Sequence, residues 1–152
     1  MNKLRACAIV IGVDNNRQTT LANPQAPQTS ENDARSMSEF LTARGFSLLR
    51  VKSDGTPVEE TITGSLATKQ AVKRTVTYAA EHMEPNGIVV VFFSGHGFSK
   101  PEDGVKDGRA EGWCLHGDDD DLLWDREWRM LLEQFKPRTR VVVISDSCFS
   151  GG

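Results

Sequence analysis

The chain has 152 residues, of which 38% are hydrophobic and 26% charged, a composition typical of a globular protein with one hydrophobic core. Its net charge of −3 disfavours nucleic acid and anionic membranes as partners, and no apolar run has the length of a membrane span. The three cysteines, Cys7, Cys114 and Cys148, form no disulfide framework, and no secretory signal is recognisable. These features together indicate a reducing, cytoplasmic environment.

The first third of the sequence predicts a strand, a loop and a helix. Residues 6–13 are a continuous apolar run and predict a buried strand. The polar, proline-containing segment 18–29 predicts an exposed loop. A helix follows, with Ser30 as its predicted cap and Gly45 as its end. Its predicted buried face consists of Met37, Phe40 and Leu41.

The middle third predicts two strands separated by a helix. Residues 46–51 alternate weakly and favour a strand, whereas residues 61–68 are ambiguous between elements. Apolar residues recur at helical spacing over 69–82, and the Pro-Asn-Gly sequence at 85–87 is predicted to end that helix. Residues 88–93 are an apolar run that predicts a third buried strand. The helix is expected to bury Val72, Val76, Ala79, Ala80 and Met83.

The last third begins with a long polar segment over 98–121, interrupted by a patch at 113–116 that suits a short strand. Asp125 is predicted to cap a third helix, which Pro137 ends. Residues 141–144 predict a fourth buried strand. The third helix is expected to bury Trp128, Leu131, Leu132 and Phe135.

This alternation of strands and helices predicts one α/β domain, an open and mostly parallel sheet with helices on both faces. Sites in such sheets lie beyond the carboxyl ends of the strands. Two strands end in reactive side chains there: His96 within Ser94-Gly95-His96-Gly97, and Cys148 within the segment 145–152. If these strands are neighbours, a thiol and an imidazole face each other, which is the minimal equipment of a cysteine hydrolase.

The two motifs, Ser94-Gly95-His96-Gly97 and Asp146-Ser147-Cys148-Phe149-Ser150-Gly151, together resemble those of the caspase-like cysteine peptidases, in the metacaspase and orthocaspase branch. Asn32-Asp33-Ala34 also resembles the first helix of that family. The resemblance implies a caspase-like (caspase-hemoglobinase) fold. It also implies that residues 1–152 are the large-subunit portion of the catalytic domain, ending just after the nucleophile and incomplete without a small-subunit segment of the same precursor.

The resemblance further implies an endopeptidase that cuts after Arg or Lys and that is activated by self-processing. Cys148 would be the nucleophile and His96 the proton shuttle, with the backbone N–H groups of Gly97 and Cys148 as the oxyanion hole. An acidic pocket would bind the basic side chain, whereas cleavage after aspartate would need basic groups in that pocket. The pocket positions that match are Asp33, Ser94 and Asp146.

Each pocket residue also has a purely structural interpretation. Asp33 could favour a helix N-terminus through the dipole, Ser94 could bond backbone, and Asp146 could hold the end of a strand. Cys148 could be an inert structural cysteine. A catalytically silent scaffold domain is therefore the alternative function. A redox or thiol-transfer protein is a weaker alternative, because the chain has no Cys-x-x-Cys pair.

No cofactor is expected to be required, but the acidic residues raise the question of calcium dependence. The run of aspartates at 118–121 is typical of a solvated turn. In calcium-dependent metacaspases, acids follow the histidine motif and pair at the next helix start; Glu111 and Asp125 match part of that pattern, but Arg126 stands where the second acid is expected. Cys114 and His116 form only a weak metal-ligand pair, and their pattern favours core packing. Three basic residues in the segment after His96 are typical of a solvated loop and are also candidate self-cleavage points: Lys100, Lys106 and Arg109.

Overall fold

The computed structural model of the protein describes residues 3–14, 29–104, 106, 108–117 and 121–147. Its helices are α1 (Ser30–Thr42), α2 (Lys69–His82) and α3 (Asp125–Leu132), with one 3₁₀ turn at Gly64–Leu66. Its strands are β1 (Leu4–Gly12), β2 (Ser47–Leu48), β3 (Arg50–Val51), β4 (Pro57–Val58), β5 (Ile62–Thr63), β6 (Met83–Gly95), β7 (Gly97–Pro101), β8 (Arg109–Cys114), β9 (Leu122–Trp124) and β10 (Arg140–Ser147).

The central sheet is parallel and has the strand order β10-β6-β1-β2, with β5 also pairing with β1. Two smaller antiparallel sheets accompany it, β3-β4 and β7-β8-β9. Strands β1 and β6 form the centre, and β10 adds to the outer side of β6. The predicted open, mostly parallel sheet is therefore confirmed, and the two strands that precede His96 and Cys148 in the sequence, β6 and β10, are direct neighbours.

Helices cover both faces of the sheet, as predicted. On one face, Ala8 and Val10 of β1 pack with Ala34 and Leu41 of α1. On the other face, alternate residues of β1 and β6 pack with α2, α3 and the β8–β9 sheet. That larger cluster includes Ile9, Ile11, Val72, Val76, Phe93, Trp113, Trp128 and Leu131. The period of two along each strand thus assigns successive residues to opposite layers.

Helix α1 begins where it was predicted to begin, but it is capped differently. Thr29 occupies the cap position without a side-chain hydrogen bond, and Ser30 is the first helical residue. Asp14, just after β1, accepts a hydrogen bond from the backbone N–H of Glu31 at 3.2 Å. The prediction that Ser30 caps the helix was wrong, because the acceptor comes from a residue 17 positions away.

The buried face of α1 is also rotated relative to the prediction. Phe40 is 49% exposed, whereas Ala34 and Ser38 are buried together with Leu41. The hydroxyls of Ser38 and Thr61 form a hydrogen bond at 2.7 Å, which satisfies the buried serine. Phe40 instead receives the guanidinium of Arg44 over its ring.

Helix α2 spans the predicted residues, and its predicted apolar face is buried. The helix ends at His82, before the Pro-Asn-Gly sequence at 85–87, but β6 begins directly at Met83 and includes these residues. Met83 pairs with Leu4, and the register with β1 then shifts before Ile88 pairs with Ala6, so residues 85–87 lie in an irregular part of β6 where Asn86 has a φ of 64°. Among the described residues, no helix is long and apolar enough to span a bilayer.

The polar segment after His96 is an antiparallel sheet rather than a loop with one short strand. Strands β7, β8 and β9 pair in sequence order. Helix α3 begins at Asp125, but the cap position is held by Trp124, whose backbone N–H donates to Glu127 Oε2 at 3.1 Å. The helix ends at Leu132, before the predicted stop at Pro137.

Glu127 also joins α3 to α2. Its carboxylate lies 2.9 Å from Nζ of Lys69 and 3.4 Å from Nζ of Lys73. Burial raises the pKa of Glu127, but hydrogen bonds from Lys69, the backbone N–H of Trp124 and Lys73 outweigh burial and hold this pKa below its usual value. The ionised carboxylate therefore fixes the start of α3 against α2.

Candidate functional site

The carboxyl edge of the sheet brings the two reactive motifs into register. Ser147 of β10 is the pairing partner of Gly95 of β6. These are the residues immediately before Cys148 and His96 in the sequence. His96 is half-buried, and its carbonyl accepts a hydrogen bond from the N–H of Cys114 at 2.9 Å. Cys148, the predicted nucleophile, lies outside the described residues.

Gly97, a predicted oxyanion-hole residue, is the first residue of β7 and is half-buried. It pairs with Trp113 of β8, so the backbone after His96 is held by the antiparallel sheet. Gly95 has a steric reason to be glycine: an added Cβ would lie 2.7 Å from Cζ of Phe93. The histidine motif is therefore positioned by strands on both of its sides.

Two of the three predicted pocket residues, Ser94 and Asp146, share one face of the sheet. Gly12, Ser94 and Asp146 are pairing partners across β1, β6 and β10, so their side-chain positions point to the same face. Ser94 is 2% exposed, and its carbonyl accepts the N–H of Val13 at 3.0 Å. Asp146 is exposed at the end of this row.

Helix α1 lies over the same row. An added Cβ on Gly12 would lie 2.6 Å from Cβ of Ala34 and 2.7 Å from the carbonyl oxygen of Ser30, so the helix start packs directly on this glycine. Asp33 is in the first turn of α1 and is exposed. The structure thus brings Ser94 and Asp146 together and sets the turn that carries Asp33 above their row.

The opposite face of the same edge holds a cavity of about 640 Å³. It lies between β10, α3 and the β7–β9 sheet, and its wall includes Gly97, Trp113 and Ser147. The two residues weighed for calcium, Glu111 and Asp125, both line this cavity. They therefore lie on the other side of the sheet from Ser94.

The described residues around this cavity contribute two carboxylates, those of Glu111 and Asp125. Calcium takes six to eight oxygen ligands, whereas the described residues contain no group of three or more acidic, His or Cys side chains placed to hold a metal. The Arg126 guanidinium donates to Glu102 Oε1 at 2.9 Å, which sets a cation beside the start of α3. Asp121 is buried rather than solvated, contrary to prediction, while residues 118–120 lie outside the described part.

The two described cysteines are buried thiols. Burial raises the pKa of Cys7 to about 12. Burial, together with the negative charge of Asp121, raises the pKa of Cys114 to about 12. His116, the proposed metal partner of Cys114, uses its backbone N–H to bind the carbonyl of Ala67 at 2.9 Å. Both cysteines belong to the buried core, and a buried, protonated thiol is a poor nucleophile.

We expect iodoacetamide at pH 8 to leave Cys7 and Cys114 unmodified in the folded protein and to alkylate both in denaturant, as read by peptide mass spectrometry. The unfolded chain loses these thiol protons above about pH 8.5, whereas the folded chain keeps them until the pH approaches about 12. The free energy of unfolding should therefore fall as the pH rises through that window. Alkylation at equal rates in both states would contradict the burial.

One arrangement of side chains at this edge was not predicted from the sequence. The indole Nε1–H of Trp113 donates to Ser145 Oγ at 3.0 Å, and the Ser145 and Ser147 hydroxyls lie 3.0 Å apart. Ser145 and Ser147 are alternate residues of a strand, so the sequence alone indicates that their hydroxyls lie on the same face. Nothing in the sequence indicates that Trp113, 32 positions earlier, reaches them.

Comparisons with known proteins agree with this architecture. The family model described as "Caspase domain" matches residues 5–152. Metacaspase-4 of Arabidopsis thaliana is 32% identical over 131 residues, which cover 80% of this chain and 29% of the relative. Metacaspase-6 of the same plant is 30% identical over 124 residues, covering 80% and 33% respectively. The chain thus spans about a third of the length of the curated relatives it matches.

A solved structure has the same fold. The crystal structure of protein GSU0716 from Geobacter sulfurreducens superposes with a TM-score of 0.74 at 28% sequence identity. The superposition covers 97% of this chain and 52% of that chain. The layers described above are therefore those of an experimentally observed protein, which extends over nearly twice the length of this chain.

Proposed function

The chain belongs to the caspase domain family, and on that premise we propose that it carries the catalytic residues of a cysteine endopeptidase that cuts after Arg or Lys. The observation that carries the proposal is the parallel pairing of β6 with β10, in which Gly95 and Ser147 are partners. In the sequence, the next residues are His96 and Cys148. Neighbouring strands that end together supply an imidazole and a thiol to one rim.

In the proposed reaction, the Cys148 sulfur attacks the scissile carbonyl and His96 takes the thiol proton. The backbone N–H groups of Gly97 and Cys148 stabilise the oxyanion, and His96 then protonates the leaving amine. Water hydrolyses the acyl-enzyme and regenerates the thiol. The burial of Cys7 and Cys114 supports the choice of nucleophile, because their raised pKa values keep both sulfurs protonated.

We place recognition of the basic side chain on the α1 face of the sheet. The row that contains Ser94 and Asp146, with Asp33 in the helix turn above it, supports an acidic pocket. Two carboxylates suit a guanidinium, which forms charge-assisted and often bidentate hydrogen bonds. Asp33 also lies where it favours the helix dipole, so we assign the larger share of specificity to Asp146.

We also propose that a small-subunit segment of the same precursor completes the sheet at the outer side of β10. Val142, Val143 and Ile144 of this edge strand are 39–42% exposed, and proteins normally cover such an edge. A stable, active monomer of these 152 residues would contradict this part of the proposal.

Self-processing is proposed at the basic residues after the histidine motif. Lys100 and Arg109 lie in paired strands, β7 and β8, whereas Lys106 lies between these strands in the sequence and is exposed. Proteolysis favours exposed loop tips over paired strands, so Lys106 is the preferred position.

A reagent that labels the reactive cysteine distinguishes an enzyme from the alternative, a catalytically silent scaffold domain. We expect a peptidyl-arginine chloromethyl ketone to alkylate Cys148, through reaction of a thiolate with the reagent carbon and loss of chloride. The matched control is the same reagent with aspartate in place of arginine, which should react far more slowly in an acidic pocket. An adduct on Cys7 or Cys114, or equal rates for both reagents, would overturn the proposal.

The same labelling tests whether a cofactor is needed. We propose that none is required, so the rate in EGTA should equal the rate in added calcium. A strong dependence on calcium would show that ligands beyond Glu111 and Asp125 complete a metal site.

A further inference from the structure

The end of β10 is held by a link that crosses from the β7–β9 sheet. β10 pairs with β6 on one side only in the described sheet. On the face turned towards α3, Trp113 Nε1–H donates to Ser145 Oγ at 3.0 Å, and Ser145 Oγ lies 3.0 Å from Ser147 Oγ. Ser147 is the residue directly before Cys148. An indole on β8 is thereby connected through two hydroxyls to the last described residue of the strand.

The indole of Trp113 is itself rigidly oriented. Its ring stacks on Phe93 with centroids 4.4 Å apart and planes 8° from parallel. Trp128 of α3 packs edge-on against it, with centroids 4.6 Å apart. Because Phe93 is the pairing partner of Ser145, the Phe93–Trp113 stack lies next to the end of β10. A ring packed on two sides can aim its N–H in only one direction, so the donor is preorganised.

We propose that Trp113 and Ser145 are positioning residues for the nucleophile, acting through Ser147 to hold the end of β10 in register with the histidine strand. The inference rests on the proposed function, since it assigns Cys148 as the group being positioned. An edge strand with pairing on one side frays readily, and the Trp113 link restrains the other side of its end. Small losses of alignment at a reacting atom lower the rate more than they lower binding.

Trp128 supplies a matched control within the same aromatic cluster. It is 9% exposed, and its buried Nε1–H has no hydrogen-bond partner among the described residues. Trp113→Phe and Trp128→Phe therefore remove the same atoms from neighbouring indoles of one cluster. Only the first substitution removes a hydrogen bond to β10.

The experiment measures kcat and KM on an arginyl substrate for the whole protein and its variants. Trp113→Phe and Ser145→Ala should each lower kcat about tenfold with KM within about twofold, as expected for one lost positioning hydrogen bond. The double variant should lose no more than either single variant, because both remove the same link. Ser145→Thr should keep kcat because it retains the hydroxyl. Trp128→Phe should keep kcat within about twofold, because phenylalanine keeps an aromatic ring against Trp113 and the Trp113 hydrogen bond stays intact.

Thermal unfolding separates positioning from general stability. Trp113→Phe and Trp128→Phe should have similar midpoints, so a kcat deficit confined to the first is not a folding effect.

Equal kcat values for these two variants would overturn the inference, as would an unaffected Ser145→Ala variant. Should Trp113→Phe fail to fold, the Ser145→Ala and Ser145→Thr pair decides alone, because Ser145 is exposed. If the arginyl reagent labels Cys148 but these variants match the wild type, only this inference fails. If Cys148 is never labelled, the proposed function fails first.

Discussion

Cys148→Ala should abolish hydrolysis of arginyl and lysyl peptides. Removal of a covalent nucleophile typically costs about 10⁵–10⁶ in kcat, because the remaining groups cannot form the acyl-enzyme. The measurement is the initial rate of release of a fluorogenic leaving group from a peptidyl-arginine substrate. The variant should fold like the wild type, so its unfolding midpoint is measured alongside.

Cys114→Ala is the matched control for that substitution. It removes a sulfur that is 1% exposed and whose pKa is raised to about 12, so it deletes a thiol without deleting a nucleophile. We expect a loss of about 1–2 kcal/mol in the free energy of unfolding and a retained kcat below the unfolding transition. If Cys148→Ala keeps substantial activity while Cys114→Ala loses it, the assignment of the nucleophile is wrong.

Asp146→Asn should change specificity far more than reactivity. The substitution preserves shape but removes the charge at the end of the row that includes Ser94. We expect kcat/KM for arginyl and lysyl peptides to fall about 10²–10³-fold, the cost of leaving a bound cation without its charged partner. The kcat/KM for a peptide with a neutral residue before the cut should change by less than about threefold.

Glu59→Gln is the control for the loss of one negative charge. Glu59 is exposed and lies beside β4, lining a cavity with Leu4 and Arg5 at the start of β1, so its charge acts on the acidic pocket only through solvent. Equal losses on basic and neutral substrates in Asp146→Asn would mean that Asp146 supports the strand end rather than the pocket. An equal effect of Glu59→Gln would mean that overall charge, not the pocket, attracts the substrate.

Elements that depend on interactions between residues close in the sequence were predicted correctly, whereas elements that depend on distant residues were not. Helix α2 was predicted at its observed bounds, because its periodic apolar residues all face one layer. The inclusion of residues 85–87 in β6 was not predicted, because the irregular pairing of this part of β6 with β1 depends on residues distant in the chain. The exposure of Phe40 and the capping of α1 by Asp14 likewise depend on residues distant in the chain.

The same division applies to the site. The motifs around His96 and Cys148 could be found by reading the chain, since each is a short run of residues that follows an apolar strand. The composition and apolar periodicity by themselves determined an α/β domain with strands that end in these motifs. Only the tertiary structure decided that β6 and β10 are neighbours, that Ser94 and Asp146 share a face, and that Trp113 reaches Ser145. Periodicity records which side of an element is buried, whereas strand order and side-chain contacts arise from the packing of segments far apart in the chain.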